Sequence, residues 1–256
     1  MVSIHNEKIQ AFQKIIQNDR LGHAYLFFGD EGVGKETVAR ALAHFLEGGS
    51  FEVEEMPLID AQVFCAGEKG SIGIDVVRSI RTFLWSTPLV SSRRTAIIEG
   101  AHALTLEAQS ALLKIVEEPP AHGLLVFVTH EPSVLLAPIL SRLSKVYFPR
   151  FSVCELQSLL VKEHAVPEKK AEMIAKIAFG RIGRALRFLE GTPVLENDIK
   201  EQIREDIVRL WNKDKFSYAR VLSLLLDREM YIARFTLNPN LQKKAIDYIK
   251  TTLPIE

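Results

Sequence analysis

Ala24-Tyr25-Leu26-Phe27-Phe28-Gly29-Asp30-Glu31-Gly32-Val33-Gly34-Lys35-Glu36-Thr37 sets an apolar strand, a glycine-rich turn and the start of an amphipathic helix in direct succession. That succession is the layout of a phosphate-binding loop. Backbone N–H groups of such a loop wrap a phosphate, the helix N-terminus adds positive potential, and the lysine reaches the outer phosphates. The spacing from Gly29 to Gly34-Lys35 fits, which makes Gly29, Gly32, Gly34 and Lys35 the candidate nucleotide-binding residues. The next position departs from the pattern. A working loop needs Ser or Thr there, because its hydroxyl holds the magnesium that bridges the phosphates. Glu36 stands in that place, and a carboxylate repels phosphates unless it turns away. Thr37 offers a hydroxyl one residue later, but about 100° further round the helix.

Working outward, apolar positions from Ile9 to Gln17 have helical spacing, and Asn18-Asp19 ends that segment. After the loop, Val38, Leu42, Phe45 and Leu46 share one helical face until Gly48-Gly49 stops it. Asp60–Phe64 reads as a brief strand, and Ile74–Trp85 as a helix opened by Asp75, with Arg78 and Arg81 outward. Thr95–Glu99 and Leu124–Thr129 are buried strands, separated by a helix that Thr105 caps and Pro119-Pro120 ends. A short helix containing Pro138 and a strand at Val146–Phe148 follow. Strands alternating with helices predict an α/β fold with a mainly parallel sheet covered on both faces. Beyond Pro149 only helical patterns remain. Ser152-Val-Cys-Glu155 is a capping box, Pro167 and Gly180 bracket a second helix, and Arg184–Glu190 makes a third. Periodic apolar residues after Glu196 predict further helices in the tail.

The chain has 256 residues, with 32 Lys+Arg against 32 Asp+Glu. Zero net charge argues against coating nucleic acid through bulk charge and leaves room for a local basic patch. With 47% apolar and 25% charged residues the chain reads as soluble and globular. No apolar run reaches membrane-spanning length, and the start lacks a signal-peptide pattern, so a cytoplasmic location is expected. Cys65 and Cys154 are expected to be buried or half-buried free thiols, and two cysteines cannot build a zinc site by themselves.

Gly22-His-Ala-Tyr-Leu-Phe-Phe-Gly29, Gly32-Val-Gly-Lys35, Ala108-Gln-Ser-Ala-Leu-Leu-Lys-Ile-Val-Glu-Glu-Pro-Pro120 and Pro138-Ile-Leu-Ser-Arg142 occur in one order over roughly residues 1–190. Together they resemble the δ′ subunits of bacterial DNA polymerase III clamp loaders, in the AAA+ superfamily. The resemblance implies a P-loop AAA+ sheet domain at 1–150, a three-helix lid at 151–191 and a short, collar-like helical domain at 192–256. It implies a subunit of a ring that opens a sliding clamp and closes it around primer-template DNA. The implied neighbours are γ/τ-type motor subunits and a clamp-opening δ subunit. In the family the Ser-Arg motif lends an arginine to a neighbour's ATP site, which here falls on Ser141-Arg142. Arg78 and Arg81 lie on the helix that faces DNA in related loaders; the alternative for them is a solvated helix face.

Departures from the family's active members carry as much information. Their second strand ends in Asp-Glu, whereas this chain has Glu99-Gly100 and lacks a general base there. Gly183 takes the place of their lid arginine, with Arg184 one residue away. The magnesium hydroxyl, the base and the lid arginine are therefore all absent. The expectation is a non-catalytic stator with no required cofactor and no zinc, with ATP binding at the loop left open. A four-cysteine zinc module common in the family is reduced to Cys65, and the tail after Gly191 is shorter than a full collar. Two rivals remain. One is an ATPase motor using Thr37 or Glu36 for magnesium and Glu99 for the base. The other is a δ′-derived adaptor working outside a loader.

Overall fold

A computed structural model describes residues 5–51, 57–67 and 70–190 of the chain. The chain divides into two units, 1–190 and 191–256. The second unit, and with it the expected collar-like helices, lies outside the described residues. In the first unit the order is α1 (Asn6–Gln17), β1 (Ala24–Phe28), α2 (Lys35–Gly48), β2 (Ala61–Phe64), α3 (Ile74–Trp85), β3 (Arg94–Glu99), α4 (Leu106–Glu117), β4 (Gly123–Thr129), α5 (Ala137–Leu140) and β5 (Ser144–Tyr147). Three more helices follow: α6 (Val153–His164), α7 (Glu168–Ala178) and α8 (Ile182–Leu189).

The five strands form one parallel sheet in the order β2-β3-β4-β1-β5. A parallel sheet needs both faces covered, so its central strands are apolar at every position. All seven residues of β4 are buried. Alternation then sorts the side chains between two cores. Leu26, Ile98, Leu125 and Phe127 pack with α3 and α4 on one face. Tyr25, Phe27, Ile97 and Val126 pack with α1 and α2 on the other. β1 runs between β4 and β5, so the turn after Phe28 opens at the carboxyl edge of the sheet, where open α/β sheets receive ligands.

Three local expectations change. Asp60 precedes β2 instead of belonging to it. Its carboxylate is 1% exposed and accepts N–H groups from Leu89, Val90 and Ser91 at 2.9, 2.7 and 2.8 Å, and the Arg94 guanidinium at 2.5 Å. The last strand begins at Ser144, earlier than Val146, because it pairs along one side only and needs no apolar run. Cys65 and Cys154 are exposed thiols, against the expectation of burial. Each sits at the margin of an element: Cys65 follows β2, and Cys154 lies in the first turn of α6. No helix among the described residues is long and apolar enough to cross a membrane.

Helices α6 to α8 build their own core from Leu156, Leu160, Ala171, Ile174 and Ala185. The capping box is formed: Ser152 Oγ accepts from Glu155 N, and the Glu155 carboxylate accepts from Ser152 N. Thr105 caps α4 in the expected way, accepting from Ala108 N.

Candidate functional site

The loop after β1 is shaped by close backbone approach. Gly29 has φ +144°, and a Cβ there would lie 2.2 Å from the Phe148 carbonyl oxygen, which only glycine avoids. Gly32 and Gly34 also have positive φ, so the loop turns twice before α2 begins at Lys35. The Lys35 side chain folds back into the loop, where Nζ donates to the carbonyls of Gly29 at 3.0 Å and Asp30 at 2.6 Å. Burial lowers the Lys35 pKa, and the acids Glu36, Asp30 and Glu31 act against that. Asp30 is held below the usual carboxylate range chiefly by its hydrogen bond from Arg150 Nε, at 2.5 Å. The structure thus brings Gly29, Gly32, Gly34 and Lys35 together as the sequence predicts. Thr37 lies half-buried in the first turn of α2.

Beside the loop, the positions that would serve magnesium and water are filled differently. Burial and the neighbouring Glu99 carboxylate raise the Glu36 pKa. Glu99, at the end of β3, forms an ion pair with Arg40 of α2 at 2.8 Å. Gly100 turns the chain at φ +68° and carries no side chain to activate water. Nothing in the local sequence marks Arg40, one of many polar residues on a helix. His102 and His130 follow the ends of β3 and β4, and their rings pack at a 59° tilt with centroids 4.1 Å apart. Burial and then His130 lower the His102 pKa. Their shared position just past two strand ends was the available signal. Among the described residues no group of three His, Cys, Asp or Glu side chains could hold a metal ion.

The lid reaches the loop through the start of α8. Gly183 N donates to Gly32 O at 2.8 Å. Arg184 is buried among α6 to α8, its guanidinium 5.4 Å from the Phe179 ring and 5.8 Å from Phe188. Arg181, which the sequence did not single out, is buried over Gly32, and its charge acts on Asp30 and Lys35.

Arg142 lies elsewhere, just past α5. Its guanidinium pairs with Glu117 of α4 at 2.8 Å and donates to Pro138 O at 2.9 Å and Ser141 Oγ at 3.3 Å, with 42% of the side chain accessible. The buried Gln109 sets that element in place, donating to Leu104 O and Val134 O and accepting from Leu136 N at 2.7 Å. Gln109 and Glu117 both belong to the α4 stretch whose pattern was read as a motif, although neither was given a role. Arg78 pairs with Asp75 at 2.7 Å and Arg81 lies 5.5 Å from the Trp85 ring, on the exposed face of α3.

Residues 4–152 match the family described as DNA polymerase III, delta subunit. The chain belongs to that family. It is 27% identical over 255 residues to DNA polymerase III subunit tau of Bacillus subtilis strain 168, covering 91% of this chain and 44% of that protein. It is 33% identical over 173 residues to the gamma/tau subunit of Mycobacterium tuberculosis H37Rv, covering 58% of this chain and 30% of that one. The chain spans less than half the length of these relatives. Among solved structures, the RuvB Holliday junction branch migration motor of Thermotoga maritima overlays with a TM-score of 0.52 at 17% identity, covering 87% of this chain and 68% of that one. That likeness establishes the fold, a P-loop AAA+ sheet domain.

Proposed function

We propose that this member of the DNA polymerase III delta-subunit family is a non-hydrolysing, δ′-like stator of the clamp loader. Its loop carries Glu36 where magnesium needs a hydroxyl, and Gly100 where water needs a base, and this pair of absences carries the reading. The Arg40–Glu99 ion pair supports it, because the one carboxylate at the end of β3 is already engaged. Arg142, with Ser141 beside it, serves a neighbour's ATP site in trans; the guanidinium is accessible and is held by Glu117 on a helix, which limits its wandering. The partners are γ/τ-type motor subunits and the clamp-opening δ subunit, with the sliding clamp and primer-template DNA reached through the complex. Arg78 and Arg81 contact DNA phosphates, which positions DNA without reading its sequence. The subunit requires no cofactor and performs no chemistry of its own.

The names of the relatives, tau and gamma/tau, favour a second reading as an ATPase motor. That reading needs Thr37 or Glu36 to organise magnesium and Glu99 to act as base. ATP turnover by the purified chain, compared with its Lys35→Ala form, separates the two. The stator shows no turnover in either form, and turnover that disappears in Lys35→Ala contradicts it.

A further inference from the structure

Four residues of the phosphate loop, Gly29, Asp30, Gly32 and Val33, are bound by groups of the same chain. Lys35 Nζ occupies the carbonyls of Gly29 and Asp30. The Asp30 carboxylate takes Arg150, from the segment joining the sheet to the lid, at 2.5 Å. Gly32 O takes the backbone N–H of Gly183, from α8, at 2.8 Å. Val33 O is 2.8 Å from His5 Nε2, at the start of α1. The His5 ring also packs edge-on against Phe148 at 4.9 Å and against Phe151 at 4.7 Å, the two aromatic residues that flank the sheet-to-lid connection.

The packing shows that these contacts are built in. His5 is in the left-handed region at φ +61°, a strained conformation for a non-glycine residue that persists where surroundings over-determine it. A Cβ on Gly183 would lie 3.2 Å from Gly32 Cα and 3.3 Å from Gly32 O, so a side chain there would push the two backbones apart by a few tenths of an ångström. A Cβ on Gly180 would lie 2.2 Å from Phe151 O, which fixes the lid's other end against the connection in the same way. Lys35 Nζ commits two of its three N–H donors to the loop's own carbonyls.

We propose that the phosphate loop of this chain is an internal latch, whose carbonyls and Asp30 carboxylate fasten the lid, the connecting segment and the N-terminal helix to the sheet domain without nucleotide. This goes beyond the stator reading and stands apart from it, since it concerns one chain without partners. The test is hydrogen exchange measured on the full-length chain, with and without saturating magnesium-ATP. In the wild type, amides of residues 32–38 and 183–186 are protected without nucleotide, and ATP leaves their rates unchanged. Gly183→Val and, separately, His5→Ala speed exchange of both segments by about five- to thirty-fold, while amides of β3 and β4 keep their wild-type rates. Should Gly183→Val disturb the sheet itself, His5→Ala decides. Fast exchange in the wild type that slows only when ATP is added, or His5→Ala exchange equal to wild type, overturns the latch.

Discussion

At position 36 a carboxylate sits where burial and the Glu99 charge both oppose its ionisation. Its folded-state pKa is raised, so the ionised form weakens the fold. That penalty is absent below the unfolded pKa of about 4.3, grows as pH rises from there to the folded value, and is constant above it. Glu36→Gln is therefore expected to raise the melting temperature at pH 7 to 8, and the gain is expected to vanish near pH 4. Melting curves across that range check it; an equal gain at both ends would mean that charge is not the cause. The loop residues were legible because their spacing is local. Arg40–Glu99 and Arg150–Asp30 were not, because their members are 59 and 120 positions apart and nothing nearby marks either partner.

Among the elements, Asp60 shows how one side chain sets the geometry of a loop. It binds three consecutive N–H groups of the loop before β3 and the guanidinium of Arg94, which itself lies 4.4 Å from the Phe83 ring. Burial alone would raise its pKa, but the Ser91, Val90 and Leu89 N–H groups and Arg94 hold it down to about 2. The stability this supplies is present above the unfolded value of about 3.9 and is lost as pH falls towards 2. Asp60→Asn leaves Arg94 without its carboxylate and is expected to cost about 3–5 kcal/mol in urea denaturation at pH 7. The cost should shrink between about pH 4 and pH 2; a cost independent of pH would place the effect in packing. The sequence read this aspartate as part of a strand because its partners lie 29 to 34 residues away. The inner strands were easier, since a sheet covered on both faces writes continuous apolar runs. The exposed edge strand β5, with Ser144, Lys145 and Tyr147 facing solvent, writes no such run, and its start was misplaced.

On the scale of the whole molecule, the loop sits at the carboxyl edge of the five-stranded parallel sheet, with Glu36 in the first turn of α2 and Gly100 just past β3. What remains accessible is Arg142, fixed by Glu117 and by an element that Gln109 ties to α4. As a stator, the subunit would use this arginine on a neighbour's nucleotide. The most direct measurement is clamp- and DNA-stimulated ATPase of a loader reconstituted from the same cell's subunits, with this chain as wild type or as Arg142→Ala. Both forms are expected to assemble equally, and Arg142→Ala to lower turnover by about 10³-fold or more, the scale of an arginine finger acting in trans. Equal turnover from the two assembled complexes would contradict it and leave Arg142 as a surface residue paired with Glu117.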